Sequence, residues 1–153
     1  MKLANLRLPL EPAGPSETGP PEIDAPTIVP VPMTALDRRR VRRRLVAPDG
    51  AELLLAFPTG TYLAPGTLLE RRGGAAYVVS AAPEEVAVIR PMNTAQAVKV
   101  AHAIGNLHRD LVEDADVYLA LWDAPLELLL TRLKVPFERD FRPFLGRPSL
   151  ADE

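Results

Sequence analysis

The sequence predicts an α+β protein whose first part is built of strands and whose second part mixes strands with helices. Up to about residue 82, short apolar runs alternate with Pro- and Gly-rich turns, which is typical of a small antiparallel β unit. Beyond Pro83, two stretches carry apolar residues at helical spacing. The predicted order there is strand, helix, strand, strand, helix, strand, which indicates a ferredoxin-like βαββαβ fold. We therefore divide the chain into an all-β domain at residues 1–83 and a ferredoxin-like domain at residues 84–153.

Composition limits the function classes that the chain can serve. Its 153 residues are 47% hydrophobic, which is enough for a packed core, and the net charge of -2 provides no positive field for nucleic acid or an anionic membrane. No apolar run reaches transmembrane length and no signal-like segment opens the chain, so we expect a cytoplasmic protein that binds neither nucleic acid nor membrane. The absence of cysteine excludes disulfides, catalytic thiolates and cysteine-type zinc sites.

The first 32 residues form a proline-rich leader that contains eight of the 17 prolines. Because proline lacks a backbone donor, we interpret residues 9–26 as an irregular loop, with short strands at residues 3–10 and 27–31. Such a leader can serve as a Pro-rich ligand for a partner or can be a tolerated insertion. We favour the insertion, because no basic residue flanks a spaced Pro-x-x-Pro core.

Six arginines follow within residues 38–44, a density that by itself resembles a nucleic-acid or phosphate patch. Alternation favours a strand instead, with Val41 and Leu45 facing inward. Arg43 then lies on the inner face of an edge strand, where a long side chain can reach past the core. The outward positions carry Arg40, Arg42 and Arg44.

Turn signals divide the rest of the β domain. The sequence Pro48-Asp49-Gly50 predicts a hairpin that joins residues 41–47 to residues 52–56. Further turns at residues 58–60, 65–66 and 72–74 separate short runs at residues 62–63, 67–70 and 75–80.

The second domain begins with a strand at residues 86–89 and a helix at residues 95–107, capped by Asn93 or Thr94. A hairpin of residues 111–113 and 117–121 follows, then a leucine-rich helix capped by Asp123 and a strand at residues 135–141. The first helix is apolar on more than one side. The positions expected on its main apolar side are Val98, Ala101, Ile104 and Leu107. Because one sheet face cannot cover all of its apolar positions, we expect the surplus face to pack on a second copy of the chain.

Both histidines lie at the end of this helix. With no cysteine in the chain, a transition-metal site must include His102 or His108, since carboxylates alone bind borderline metals weakly. His102 shares a polar stripe with Gln96 and Lys99, which indicates a solvent-exposed side chain.

The motif Gly105-Asn106-Leu107-His108 resembles the Gly-Asn-x-His signature of the UreE family of nickel metallochaperones. Flanking segments match in order, at residues 57–60, 63–69 and 82–86 and in the leucine-rich helix, so that the resemblance covers roughly residues 33–144. The chain departs from the family pattern at Leu107, where arginine is usual, and at Arg109, where proline or an apolar residue is common. Its tail, residues 146–153, has no histidines.

The resemblance implies a first domain with two sheets, similar to the peptide-binding modules of some chaperones, that contacts protein partners. It also implies that nickel binds at a homodimer interface through His108 of both subunits, with zinc or copper able to bind in vitro. Water, Asp110 or the tail carboxylates of Asp152 and Glu153 would complete the shell, and His102 is a weaker candidate ligand.

The implied partners are the urease accessory GTPase and the apo-urease complex. We expect no enzymatic activity, because the serines lie far in sequence from the histidines and no phosphate loop occurs. A metal-free adaptor in urease assembly is the alternative.

Overall fold

The computed structural model describes residues 24–148. The strand predicted at residues 3–10, most of the irregular segment at residues 9–26, and the tail carboxylates of Asp152 and Glu153 lie outside the described residues.

The N-terminal part of the described chain contains two sheets, as the α+β prediction with a two-sheet first domain requires. Its strands are β1 (Thr27–Met33), β2 (Arg42–Val46), β3 (Glu52–Ala56), β4 (Leu68–Arg72) and β5 (Ala75–Ala81). In the first sheet, β5 lies between a parallel β1 and an antiparallel β4, while β2 and β3 form an antiparallel hairpin of their own. The side chains between the two sheets form one core, which includes Val31, Leu53, Leu55, Tyr77 and Val79.

The hairpin turn forms at the predicted position. Gly50 has a φ of 88°, a value open to glycine at no steric cost, and the Asp49 carboxylate accepts a hydrogen bond from the Ala51 amide at 3.0 Å. The other Asp49 oxygen accepts from the buried Tyr77 hydroxyl at 2.7 Å. The Ala51 amide and the Tyr77 hydroxyl hold the pKa of Asp49 below its usual value, and the same carboxylate raises the pKa of Tyr77.

Two predictions for this part were wrong. Residues 62–63 form no strand, because the Leu63 amide instead donates to the Arg38 carbonyl at 2.9 Å and Leu63 is buried in the core. The arginine run is also only partly a solvated strand. Its first residues form a short 3₁₀ helix (Asp37–Arg39), and Arg38 is 0% exposed. The outward arginines are exposed as predicted, and Arg43 reaches past the core to Asp37 at 3.4 Å.

The C-terminal part has the predicted ferredoxin-like order. Its elements are β6 (Pro83–Ile89), α1 (Thr94–Asn106), β7 (Val112–Asp114), β8 (Val117–Leu121), α2 (Ala124–Leu133) and β9 (Phe137–Pro143). The sheet order is β7-β8-β6-β9 with every neighbouring pair antiparallel. Asn93 caps α1 by accepting from the Gln96 amide at 2.8 Å, and Asp123 caps α2 by accepting from the Leu126 amide at 2.9 Å.

Both faces of this sheet are covered. The helices pack on one face, where the core includes Ile89, Val100, Ile104, Leu126 and Leu130. The opposite face, with Val86, Val88, Val117 and Leu119, packs against Ala35 and Phe144. Because Ala35 comes from the segment after β1, the two parts of the chain contact each other directly. The division at residue 83 into two domains stays a prediction.

The orientation of α1 differs from the predicted one. Val100 and Ile104 are its buried residues, whereas Val98 and Ala101 face away from the sheet and Val98 is 62% exposed. Apolar residues surround most of this helix, so its periodicity did not distinguish the covered side. None of the helices in residues 24–148 combines the length and apolar character needed to span a membrane.

Candidate metal site at the end of the first helix

The backbone places His108 in an uncommon conformation at the end of α1. His108 has a φ of 56°, in the left-handed region that costs a residue with a Cβ about 1 kcal/mol or more. Its amide donates to the Gly105 carbonyl at 2.9 Å, which closes the last turn, and its side chain is exposed. The turn therefore directs the chain away from the helix and leaves the imidazole accessible.

His108 lines a cleft of about 620 Å³ between the two parts of the chain. On its own side the cleft is bounded by Asp110, Arg147 and Pro148. The opposite wall comes from the N-terminal part: Arg39, Val41, Thr59, Gly60, Thr61 and Tyr62. The predicted ligand thus sits in a recess that mixes polar and apolar groups and opens to solvent.

His102 lies outside the described lining of this cleft. Its side chain is exposed, as predicted, and its Nε2 lies 3.3 Å from the Asn106 side-chain nitrogen one turn later. The structure therefore does not bring the two histidines together at the cleft.

Asp110 shares the cleft with His108, but its carboxylate is already engaged. Its Oδ2 accepts from the Arg147 backbone amide at 2.8 Å and from Arg147 Nε at 3.3 Å, and Oδ1 lies 3.5 Å from Arg147 Nη2. Within residues 24–148, no three side chains of the His, Asp or Glu type converge on one point. Among the residues that the structure describes, one chain thus presents a single imidazole at this cleft.

Arg38 supports the wall of the cleft, a role that the sequence did not indicate. Its guanidinium donates to the carbonyl oxygens of Met33 (2.7 Å), Phe144 (2.7 Å) and Gly146 (2.8 Å) and to the Tyr62 hydroxyl at 2.9 Å. The Tyr62 hydroxyl in turn donates to the Gly146 carbonyl at 2.8 Å. The bonds to Phe144 and Gly146 join the N-terminal part to the segment that follows β9, and those from Arg38 are charge-assisted. The sequence offered one signal for the burial of Arg38: it lies before the part of the arginine run in which inward and outward positions alternate.

A second cavity of about 350 Å³ shares Asp110, Arg147 and Pro148 with the cleft. Arg109 pairs there with Asp123, and the Glu84 carboxylate accepts from the Ala35 amide at 2.9 Å. Burial raises the pKa of Glu84.

Comparison with known proteins identifies the family. The sequence model of one protein family, the N-terminal domain of the UreE urease accessory protein, matches residues 13–82. A urease accessory protein UreE of Deinococcus radiodurans is 63% identical over 153 residues, covering 99% of this chain and 98% of the relative. The chain belongs to the UreE family of urease accessory proteins.

Further members of the UreE family match over most of the chain. The protein of Synechococcus sp. is 47% identical over 121 residues, 79% of this chain and 81% of its own. The protein of Geobacillus kaustophilus is 33% identical over 117 residues, 76% of this chain and 79% of its own. The resemblance inferred from the sequence is therefore confirmed. The expectation that the chain is not an enzyme is also confirmed, since the family is one of accessory proteins.

Proposed function

We propose that this chain is a cytoplasmic nickel carrier in urease maturation. Two copies hold one Ni²⁺ between their His108 imidazoles at a homodimer interface and pass the ion to the apo-urease complex together with the accessory GTPase. Zinc or copper can take the same site in vitro. The name of the relatives, urease accessory protein, supports the urease role.

The observation that carries the proposal is the position of an exposed His108 directly after an uncovered helix face. The outer side of α1 presents small and apolar residues at helical spacing: Thr94, Val98, Ala101 and Gly105. Small side chains let two helices approach closely, and homodimers most often close by a two-fold axis. An axis through the end of α1 would bring the two His108 side chains together.

The predicted ligands suit a protein that carries nickel rather than one that stores it. Neutral imidazole suits nickel, zinc and copper, and a pair of imidazoles leaves further coordination positions to water. A site with open positions can pass its ion on by ligand exchange, whereas a closed cage of four protein ligands retains it. The metal here is cargo, so moderate affinity is an advantage.

The two parts of the chain would then have different roles, one in metal binding and dimerisation and the other in contact with protein partners. Residues 84–153 would form the dimer and bind the metal, because α1 and His108 both lie there. Residues 1–83 would contact protein partners. The exposed outer side of the β2–β3 hairpin offers surface for such a contact.

The stoichiometry of nickel binding tests this proposal. Calorimetric titration of the full chain should give half an ion per chain, and light scattering should give the mass of a dimer. One ion per chain would contradict a shared site. A dimer that binds no nickel would favour the metal-free adaptor.

A further inference from the structure

The carboxylate of Asp110 is held by a short segment that runs past it. Of the three contacts that Arg147 makes with Asp110, the shortest comes from the backbone amide at 2.8 Å, while those of the side chain are 3.3 and 3.5 Å. The Arg147 side chain is 71% exposed, so its ion pair with Asp110 contributes little by itself. The backbone amide is therefore the main contact, and its position depends on the segment.

Buried bonds fix that segment. Arg38, which is 0% exposed, donates to the carbonyls of Phe144 and Gly146, and the Tyr62 hydroxyl donates to Gly146 as well. These bonds end one residue before Arg147. The amide that holds Asp110 is thus anchored by the N-terminal part of the chain.

Gly146 allows the close approach of the segment to Asp110. A Cβ at this position would lie 3.0 Å from the Cβ of Asp110 and 2.6 Å from Cζ of the buried Phe144 ring. Because Phe144 is packed in the core, a larger residue would push the segment away from Asp110.

We propose that residues 144–147 are a latch that keeps Asp110 out of the metal shell of His108. The inference rests on the proposed function, in which His108 binds the metal. Asp110 is only two residues from His108 and lines the same cleft. While the latch is closed, a divalent metal must compete with the Arg147 amide for this carboxylate. Opening the latch supplies one further oxygen ligand and tightens binding.

Nickel titrations of full-length variants test the effect of the latch. Arg147→Met keeps the backbone amide and should change the dissociation constant less than about twofold. Gly146→Ala displaces the segment and should tighten nickel binding about tenfold, the scale on which groups around a metal ligand act. Asp110→Asn should change binding little in the wild-type background and should remove the gain in the Gly146→Ala background.

A second measurement follows the latch without metal. The Arg147 amide should exchange its hydrogen faster in Asp110→Ala, which removes the acceptor oxygens, and in Gly146→Ala than in the wild type. The Leu126 amide, which donates to Asp123 in a similar cap, is the internal control and should not change. Should Gly146→Ala fail to fold, Tyr62→Phe replaces it, because phenylalanine keeps the ring but lacks the hydroxyl that donates to the Gly146 carbonyl.

The outcomes separate the latch from the metal site. Full nickel binding by His108→Ala would defeat the proposed function and, with it, the role of the latch. Loss of binding in His108→Ala, together with unchanged Arg147 exchange or unchanged affinity in Gly146→Ala, would overturn the latch alone. Weakened binding by Asp110→Asn in the wild type would also overturn it, since Asp110 would then already be a ligand.

Discussion

The substitution Val98→Asp should dissociate the proposed dimer. Val98 is 62% exposed on the outer side of α1, and full burial of a valine side chain contributes about 1.5–3 kcal/mol. Burying the exposed part of one Val98 side chain contributes about 1–2 kcal/mol. Because a two-fold axis buries Val98 of both chains, the dimer gains about 2–4 kcal/mol. At 1.4 kcal/mol per factor of ten, the dimer dissociation constant should rise about 30-fold to 700-fold, and the buried charge of aspartate should add to this.

Sedimentation equilibrium of the full chain measures this dissociation constant. Leu128→Asp is the matched control, because Leu128 is 59% exposed on α2 and lies outside the proposed interface. The control should leave the dimer intact. A rise of less than tenfold for Val98→Asp, or equal rises for the two variants, would refute α1 as the interface.

Three further predictions concern stability. Arg38→Met removes charge-assisted bonds to three carbonyl oxygens and leaves that of Phe144 without its described donor, while Met33 keeps the Ala82 amide and Gly146 keeps the Tyr62 hydroxyl. It should cost at least about 3 kcal/mol in urea unfolding, while Arg40→Met, on the surface, should change the stability by less than about 0.5 kcal/mol. Because the pKa of Asp49 is lowered in the folded chain, its stabilisation is present above about pH 4 and is lost as the pH falls further. Tyr77→Phe should therefore flatten the acid side of a plot of the urea unfolding midpoint against pH. An unchanged slope on that side would show that the hydrogen bond from Tyr77 to Asp49 does not lower the pKa of Asp49. The pKa of Glu84 is raised in the folded chain, so its contribution to the free energy of unfolding is greatest below about pH 4. This contribution is lost as the pH rises through the pKa of Glu84 in the folded chain. Glu84→Gln should be at least as stable as the wild type at pH 7 with a flatter profile between pH 4 and 7, and parallel profiles would contradict this.

Most of the fold could be predicted because its signals are local. Turn residues delimit the strands, and the observed β3 and β8 have the predicted bounds. The helix caps at Asn93 and Asp123 follow from side chains that accept bonds from amides three residues later. The order of strands and helices along the chain then limits the sheet topology to very few arrangements.

The features that the sequence did not indicate depend on distant parts of the chain. The buried Arg38 donates to carbonyls 106 and 108 residues away, and no local pattern encodes such partners. The covered side of α1 could not be identified because apolar residues occur around most of the helix. Likewise, the pairing of Asp110 with Arg147 joins residues 37 positions apart.

The metal ligands stay a prediction. The structure gives only the position of His108, which is exposed and lines a cleft at the end of a helix, where its motif lies. The engaged state of Asp110 could not be expected. Whether His108 binds nickel remains a prediction.

Nickel titration of His108→Ala and His102→Ala by calorimetry tests whether His108 is the nickel ligand. His108→Ala should lose nickel binding while remaining a folded dimer, because oxygen ligands alone bind nickel weakly. His102→Ala should change the dissociation constant less than about tenfold, since an exposed side chain outside the cleft supplies no ligand. Undiminished nickel binding by His108→Ala, or equal losses in the two variants, would show that His108 is not the ligand that holds nickel.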